Sequence, residues 1–401
     1  MALAERRFQV TLLWCSLPGA TVAQLSRALF EWPGVELLLL YARHLALVRA
    51  RRMAMAKATY LVTGGAGFFG GILKQRLLND GAEVVSVDLV PDAARHPALT
   101  SLQADIRDDA AMQNIFAEHR FDAVFHIAAM LAHGKMNREL LWSSNVDGTG
   151  VIARCARQAG VRKLVFTSSN CLWASNLGHP VREDDPPAPA EVYGESKLAA
   201  EKLLKQFEDG LEVVVLRCPT IIDSGRLGLL AILFEFIREN KTVWVVGSGG
   251  NHYQFIYAGD LAQACVLSLG YHGSATFHVG SDNVPSLREC YEAVIKQAGS
   301  RSRVRSLPKG ATLAAMRLAH KLHVSPLGPY HYRMIAEDFI FDTSRIRQAL
   351  GWRPTVTNSE MLIEAYKYYA ENREEILARS NVSAHSRVAE MGILRLLKWI
   401  S

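Results

Sequence analysis

The feature that most constrains the fold of this chain is a glycine-rich turn between a short strand and a helix. The apolar run Tyr60–Thr63 reads as a strand. Three glycines follow it at three-residue spacing, Gly64, Gly67 and Gly70, and Gly65 adds an overlapping Gly-x-Gly-x-x-Gly pattern. Such glycines allow a tight strand-to-helix turn, a close approach of the backbone to a pyrophosphate and close helix–sheet packing. The following helix points its N–H groups and its positive dipole end at the phosphates. The turn therefore predicts a dinucleotide site.

Two acidic residues follow the next two predicted strands. Strand Glu83–Asp88 ends 18 residues past Gly70. A carboxylate at Asp88 accepts hydrogen bonds from the adenine ribose and repels a 2′-phosphate, which favours NAD over NADP. Asp105 follows strand Ser101–Ala104 and is placed to accept a hydrogen bond from the adenine amino group. A strand-end cap and a simple turn are the alternative roles of these two acids.

Strands and helices alternate along the rest of the chain. Further strands are predicted at Ala123–Ile127, Lys163–Ser168 and Glu212–Arg217, with helices at Asp108–Glu118, Asn137–Ala159 and Val192–Phe207. Repeated β–α units with buried, Val-rich strands predict an α/β fold, a Rossmann-type doubly wound parallel sheet. We assign residues 58–217 to this NAD-binding domain. Residues 218–380 are assigned mainly to a smaller, partly discontinuous substrate domain, with a late strand returning to the sheet.

The two ends of the chain depart from this pattern. Residues 1–57 hold eight Lys/Arg and three Glu, which accounts for +5 of the formal net charge of +6. Since the body has no large net basic excess, we expect no nucleic-acid partner. The apolar run Val35–Tyr41 is too short to span a bilayer, so no integral membrane segment is expected. We favour a native start at Met53 or Met55 over an organelle transit sequence. Residues 381–401 form an amphipathic tail, expected to pack on the protein or on a dimer partner rather than on a membrane.

The six cysteines indicate neither a disulfide framework nor a metal site. They stand singly, without a Cys-x-x-Cys pair and without histidines at metal-ligand spacing. Scattered thiols of this kind are typical of buried cysteines in a reducing compartment, and we therefore predict a cytoplasmic protein that binds no metal.

A Tyr-x-x-x-Lys motif, Tyr193 and Lys197, supplies candidate chemistry. Residues four apart lie on one face of a helix. A lysine ammonium and a nicotinamide cation both favour the phenolate, so they lower the tyrosine pKa from its usual value near 10. Such a tyrosine can exchange a proton with a substrate hydroxyl while hydride moves to or from a cofactor. The pattern alone is also compatible with a solvated helix face.

The fifth predicted strand ends in consecutive serines. Ser168 and Ser169 stand at the carboxyl end of Lys163–Ser168, the edge at which ligands of such sheets bind. One hydroxyl is expected to hold a substrate oxygen, and the other to serve only in a turn or cap.

Taken together, these pieces resemble the NAD-dependent epimerase/dehydratase family, the extended short-chain dehydrogenases, from Tyr60 to about Tyr369. The matching stretches are TGGAGFFG (63–70), Asp88, Asp105, HIAA (126–129), NVDGT (145–149), FTSS (166–169), YGESK (193–197), LRCPTI (216–221), FIYAGDLAQA (255–264) and LGWRP (350–354).

The resemblance implies a role for several residues. Ser169 is the active-site hydroxyl, with Ser168 as the competing register. Tyr193 is the acid/base, Lys197 is its partner and a ligand of the nicotinamide ribose, and Asn145 lies beneath the site. NAD is the cofactor. The implied cofactor-binding residues are Gly64, Gly67, Phe68, Phe69, Gly70, Asp88, Asp105, Ile106, Ala128, Ala129, Tyr193, Lys197 and Pro219.

The sequence departs from two subfamilies. The 4,6-dehydratases carry Asp-Glu where this chain has Asn170-Cys171, so dehydration is not expected. Many nucleotide-sugar members carry Arg-Asp where this chain has Tyr253-Gln254, and the arginine binds the diphosphate. The segment GSGGNHYQFIY (247–257) is instead similar to 3β-hydroxysteroid dehydrogenase-like members. Arg226 or Arg333 would be a replacement cation.

These observations leave three functions open. The first is an NAD-dependent epimerase or keto-sugar reductase of a nucleotide sugar. The alternative is a 3β-hydroxysteroid dehydrogenase-like enzyme for a hydrophobic hydroxy or keto substrate. The third, a non-catalytic NAD-sensing protein, is disfavoured because the serine, tyrosine and lysine are all present.

We expect a homodimer that pairs the helices Asn137–Ala159 and Val192–Phe207.

Overall fold

A computed structural model of the chain describes residues 58–131, 137–226, 228, 230–322 and 329–378. The side chains of Pro329 and Arg333 lie outside the described part. The predicted N-terminal extension (1–57) and the predicted tail (381–401) also lie outside it.

Strands and helices alternate along the described residues, as predicted. The strands are β1 (Thr59–Thr63), β2 (Glu83–Asp88), β3 (Leu99–Gln103), β4 (Ala123–His126), β5 (Lys163–Ser169), β6 (Glu212–Cys218), β7 (Thr220–Ile222), β8 (Val243–Val246), β9 (Phe255–Tyr257), β10 (Ala275–His278) and β11 (Val304–Leu307).

The helices cover the sheet and build the C-terminal half. They are α1 (Phe68–Asn79), α2 (Asp109–Glu118), α3 (Arg138–Trp142), α4 (Gly148–Gln158), α5 (Val192–Leu204), α6 (Leu230–Arg238), α7 (Ala258–Ser268), α8 (Leu287–Gln297), α9 (Lys309–Lys321), α10 (Pro329–Ala336), α11 (Ser344–Leu350), α12 (Asn358–Glu371) and α13 (Arg373–Ala378).

The central sheet has seven parallel strands in the order β10-β6-β5-β4-β1-β2-β3. Strands β4 and β5 are buried along their whole length, as expected for central strands of a sheet that is covered on both faces. From β1 the strands follow in the order β2 and β3 towards one edge, and from β4 they follow in the order β5 and β6 towards the other. The direction of the strand order therefore changes between β1 and β4. Ligands of such sheets bind at this switch point, outside the carboxyl ends. The predicted α/β Rossmann-type fold is confirmed.

Two hydrophobic clusters hold the elements together. The first joins strands β1, β2, β4, β5 and β6 to helices α2, α4 and α5, and includes Leu61, Phe166 and Leu204. The second gathers C-terminal aromatic residues around Trp173, including Phe234 and Phe339. Strand β10 lies beside β6 and so attaches late sequence to the edge of the sheet.

The predicted helix Asn137–Ala159 is present and contains a π-helical turn. It consists of α3, one π-helical turn (Ser143–Asp147) and α4. The predicted third strand, Ser101–Ala104, begins earlier, at Leu99, because its register is set by pairing with β2 rather than by its own apolar residues.

Candidate active site

The glycine turn has no room for side chains. Gly64 has φ +74°, a backbone conformation that favours glycine, and an added Cβ would lie 2.8 Å from the Cα of Ala128. A Cβ on Gly70 would lie 2.0 Å from the carbonyl oxygen of Gly64. Gly67 is the N-cap of α1, whose first turn carries no acidic residue. The turn thus fits a pyrophosphate at the helix N-terminus.

Asp88 lies against this turn. Its carboxylate accepts hydrogen bonds from the backbone N–H groups of Ala66 (3.0 Å) and Val90 (3.2 Å) and remains half-buried. The acid that would select the cofactor therefore also fixes the loop that would hold it.

A buried ion pair that the sequence analysis missed supports the same loop. The Lys74 ammonium donates to the carbonyl of Gly65 (3.1 Å) and pairs with Asp92, which also accepts from Ser86 (3.1 Å). Burial alone would raise the pKa of Asp92, but the hydrogen bond from Lys74 holds it below its usual value. The sequence does not indicate this ion pair, because Lys74 and Asp92 are 18 positions apart and only the fold brings them together.

Asp105 and Ile106 are both engaged by protein groups. Arg107 donates to both carboxylate oxygens of Asp105 (3.0 Å each from Nε) and lowers its pKa. The Ile106 side chain is buried, and a Cβ on Gly148 would lie 2.8 Å from it. Their predicted contacts with adenine stay predictions.

Residues 126–129 follow β4 next to the glycine turn. The Thr63 hydroxyl accepts from the N–H groups of Ile127 and Ala128 (3.2 Å each) and is hydrogen-bonded to Nδ1 of His126 (2.7 Å). Burial lowers the pKa of His126 to about 3, so its imidazole is neutral near pH 7. This arrangement places Ala128 beside Gly64. Ala128 and Ala129 are predicted to line the cofactor.

Tyr193 and Lys197 lie one turn apart at the start of α5. Lys197 is buried and Tyr193 is half-buried, and the Lys197 ammonium lies 4.0 Å from the centre of the Phe166 ring. Burial lowers the pKa of Lys197 to about 8. Burial also raises the pKa of Tyr193 above its usual value. In the protein without cofactor, desolvation outweighs the charge of Arg226, so the predicted lowering of the tyrosine pKa is not seen there, and its dependence on the nicotinamide cation stays a prediction.

The two serines differ in their environment. The Ser169 Oγ accepts from the N–H of Cys171 (3.1 Å) and lies 3.5 Å from Oδ1 of Asn170. The Ser168 Oγ is buried with no hydrogen-bond partner among the described residues. Ser169 thus caps the short 3₁₀ turn Asn170–Leu172 as well as standing at the strand end. Its assignment as the active-site hydroxyl stays a prediction.

Asn145, in the π-helical turn, ties the cofactor side of the crevice to the catalytic helix. Its side chain accepts from the N–H of Met130 (2.7 Å) and donates to the Met130 carbonyl (3.0 Å) and to the Ser196 hydroxyl (3.0 Å). Ser196 in turn donates to the carbonyl of Tyr193 (2.8 Å). These contacts make Asn145 a positioning residue for the tyrosine.

A chain of hydroxyl groups that the sequence analysis missed crosses the C-terminal side of the crevice. Asn170 donates to the phenol oxygen of Tyr253 (2.7 Å), which donates to that of Tyr330 (3.1 Å), and Tyr330 is hydrogen-bonded to Thr220 (2.6 Å). Tyr330 also interacts electrostatically with Tyr193. Pro219 joins β6 to β7 next to Thr220, in the position predicted to lie near the nicotinamide.

A metal-binding cluster and a membrane-spanning helix are both absent from the described residues. They contain no group of three or more His, Cys, Asp or Glu side chains placed to hold a metal ion. Within the same residues, no helix is long and apolar enough to cross a membrane.

A glycine cradle at the switch point of a parallel sheet, with Tyr193 and Lys197 on helix α5, is typical of the class of Rossmann-fold oxidoreductases. The family described as the NAD dependent epimerase/dehydratase family matches residues 60–280. The chain belongs to this family. The predicted family, the predicted NAD cofactor and the prediction of an enzyme are confirmed.

Several relatives and solved structures are similar to this chain. The uncharacterized protein y4nG of Sinorhizobium fredii is 38% identical, over 85% of this chain and 86% of that protein. UDP-glucose 4-epimerase of Mycolicibacterium smegmatis is 28% identical, over 77% of this chain and 97% of that enzyme. A UDP-glucose 4-epimerase structure from Thermotoga maritima, with UDP-glucose, gives a TM-score of 0.65 at 24% identity, covering 79% of this chain and 99% of that one. The last likeness bears on the fold alone.

Proposed function

We propose that the protein is an NAD-dependent epimerase of a nucleotide sugar. The observation that carries this proposal is the position of Arg226, a half-buried cation near Phe68 of the glycine turn and near the tyrosine. Its guanidinium carbon is 5.9 Å from the centre of the Phe68 ring, and it interacts electrostatically with Tyr193 and Tyr330. Burial lowers its pKa to about 10, so it stays charged at neutral pH. It forms no ion pair within the described residues.

A half-buried guanidinium without a carboxylate beside it offers its charge to an anionic ligand. A substrate diphosphate does so, and its planar recognition by arginine adds geometric selectivity. Arg226 would thus replace the cation that is absent at Tyr253. The names of relatives support this choice, since they include UDP-glucose 4-epimerases and a UDP-glucuronate 4-epimerase of Thermodesulfobacterium geofontis, 27% identical to this chain over 79% of it and 98% of that enzyme.

In this proposal, side chains of the protein accept and return the substrate proton while the substrate is oxidised and then reduced. NAD, when bound, supplies the hydride acceptor and donor. Tyr193 takes the proton of the substrate hydroxyl at its phenol oxygen and later returns it. Lys197 holds positive charge against that oxygen, and Ser169 hydrogen-bonds to the reacting substrate oxygen. Asn145, through Ser196, keeps the first turn of α5 in place.

The same geometry disfavours a dehydratase. Elimination of water needs a second acid/base pair, and the matching positions are Asn170 and Cys171. The Asn170 amide is buried and donates to Tyr253 (2.7 Å), and a carboxamide does not ionise near neutral pH, so it cannot act as an acid or base.

Incubation of the purified protein with UDP-glucose, UDP-galactose, UDP-glucuronate and UDP-galacturonate tests the proposal. We expect interconversion of a C4 pair, measured by chromatography or NMR, without net NADH release and with NAD retained through gel filtration. Reduction of a keto-sugar with stoichiometric NADH consumption would show the reductase instead. NAD binding without turnover of any substrate would point to an NAD-sensing protein.

A second candidate is a 3β-hydroxysteroid dehydrogenase-like activity. It is favoured by Gln254, whose side chain is buried and bonded to backbone groups of Ser281 (2.8 Å) and Phe341 (2.9 Å). With Tyr253 also buried, this segment offers no charge to a diphosphate. Oxidation of a 3β-hydroxysteroid with stoichiometric NADH release, and no turnover of UDP-sugars, would establish it.

We also propose a cytoplasmic homodimer that pairs α5 with the α3–α4 region. Trp142, an exposed aromatic residue at the end of α3, lies in the proposed interface. Light scattering at micromolar concentration should give twice the chain mass, and Trp142→Glu should give the monomer. A wild-type monomer mass would contradict the dimer.

A further inference from the structure

Only one face of helix α9 packs against the rest of the protein. It is 13 residues long and has no buried residue. Its contacts with α10 are made through Met316, whose carbonyl accepts from the Tyr332 hydroxyl (2.9 Å), and through His320, whose ring lies edge-on to Tyr332. On an α-helix these two positions define one face, and the opposite face is therefore turned to solvent.

That opposite face is apolar. Leu318 is 58% exposed and Leu322, directly after the helix, is 62% exposed. Ala311 and Ala315, both exposed, precede them at the i, i+4, i+7, i+11 spacing of a single helical stripe. Exposed single leucines are ordinary, but these two leucines are aligned with two alanines on a helix without buried residues, and together they form one apolar stripe.

The stretch of sequence that contains the stripe is strongly basic. Residues 293–336 contain eight Lys/Arg and no Asp or Glu. Seven of the eight side chains are described, and all seven are exposed and form no ion pair with a described carboxylate: Lys296, Arg301, Arg303, Arg305, Lys309, Arg317 and Lys321. Arg317 and Lys321 lie on the flank of the stripe itself. Such a concentration of unpaired positive charge is hidden in the whole-chain balance, because the rest of the body compensates for it.

We infer that α9 docks on an anionic lipid surface, with Leu318 and Leu322 inserted among the acyl chains and the basic residues at the headgroups. The positive charge around the stripe favours an anionic lipid surface over other binding partners. A second copy of the chain would bring the same basic face, and the undescribed tail 379–401 is itself basic, with four Lys/Arg and one Glu. A nucleic acid would satisfy the cations but would leave the leucine stripe in water. Apolar insertion beside basic side chains is the pattern of interfacial helices.

Co-sedimentation of the full chain with vesicles tests this inference. We expect binding to vesicles of phosphatidylcholine mixed with phosphatidylglycerol, weakening as salt is raised, and little binding to phosphatidylcholine alone. Leu318→Glu with Leu322→Glu should reduce the bound fraction at least about tenfold, and Arg317→Glu with Lys321→Glu should do the same. All four side chains are exposed, so NAD binding and the melting temperature should not change.

A matched control is Leu377→Glu, which alters a leucine 49% exposed on α13, outside the basic region. It should leave vesicle binding unchanged. Binding that survives the paired leucine variant, equal binding to neutral vesicles, or binding to duplex DNA without binding to vesicles would each overturn the inference. None of these measurements depends on the substrate, so they stand apart from the test of the proposed function.

Discussion

The side-chain amide of Asn170 donates a 2.7 Å hydrogen bond to the phenol oxygen of Tyr253, at a point where both side chains are buried. Tyr253 passes this bond on to Tyr330, which lies near Tyr193. Tyr253 thus joins the end of β5 to Tyr330 on helix α10.

Tyr253→Phe removes a hydroxyl that makes two hydrogen bonds. The Asn170 amide is then buried without its partner, so we expect the free energy of unfolding to fall by about 1–3 kcal/mol. Denaturant titration measures the loss. The control is Tyr271→Phe. The Tyr271 ring lies edge-on to Phe277 and its phenol is hydrogen-bonded to no described residue, so this change should alter stability by less than about 0.5 kcal/mol. Equal effects of the two changes would contradict the network.

Tyr193→Phe should lower kcat about 10²–10⁴-fold, since the phenol oxygen moves the proton. The ring is retained, and NAD affinity should therefore stay nearly the same, as measured by fluorescence titration. Lys197→Met should reduce both turnover and NAD affinity. Wild-type turnover by Tyr193→Phe on the true substrate would remove the tyrosine from the mechanism.

The serine pair provides a direct comparison of register. Ser169→Ala should reduce turnover more than Ser168→Ala, because Ser169 stands at the strand end with its hydroxyl bonded to the turn, whereas the Ser168 hydroxyl has no partner in the described structure. Steady-state kinetics of both variants decide the matter. A larger loss with Ser168→Ala would shift the active-site hydroxyl by one residue.

Asp88 should favour NAD over NADP by at least roughly tenfold in affinity, because a 2′-phosphate would meet like charge in a partly desolvated place. Asp88→Ala should reduce that ratio. Calorimetric titration with both cofactors tests it, and Glu118→Ala, an exposed acid at the end of α2, should leave the ratio unchanged. Equal affinities of the wild-type protein would refute the assignment.

His126 should make the protein sensitive to acid. Its folded pKa of about 3 lies below its usual value near 6.5, because burial disfavours the charged ring. Between these values the unfolded chain binds more protons, so stability falls as the pH falls from about 6.5 towards 3, by at most roughly 1.4 kcal/mol per pH unit. Unfolding free energies of His126→Gln should show a shallower slope. The exposed His272→Gln is the control, and an unchanged slope for His126→Gln would contradict the prediction.

The glycine turn, the strand-end acid and the Tyr-x-x-x-Lys pair were predicted from the sequence because each depends on local rules. A turn that excludes Cβ atoms requires glycine, and a helix places residues four apart on one face. The same rules predicted the parallel sheet, since buried strands are continuous apolar runs.

What the sequence could not determine are relationships between distant positions. Lys74 meets Asp92, Asn170 meets Tyr253, and Arg226 lies by the glycine turn only because the sheet order and the packing of the C-terminal half place them there. The direction of the Tyr193 pKa also depends on tertiary structure. Sequence identifies its charged neighbours, but desolvation depends on how completely the surrounding elements exclude water. The exposed face of α9 is likewise a tertiary property, because an amphipathic pattern does not state which of its sides will find a partner.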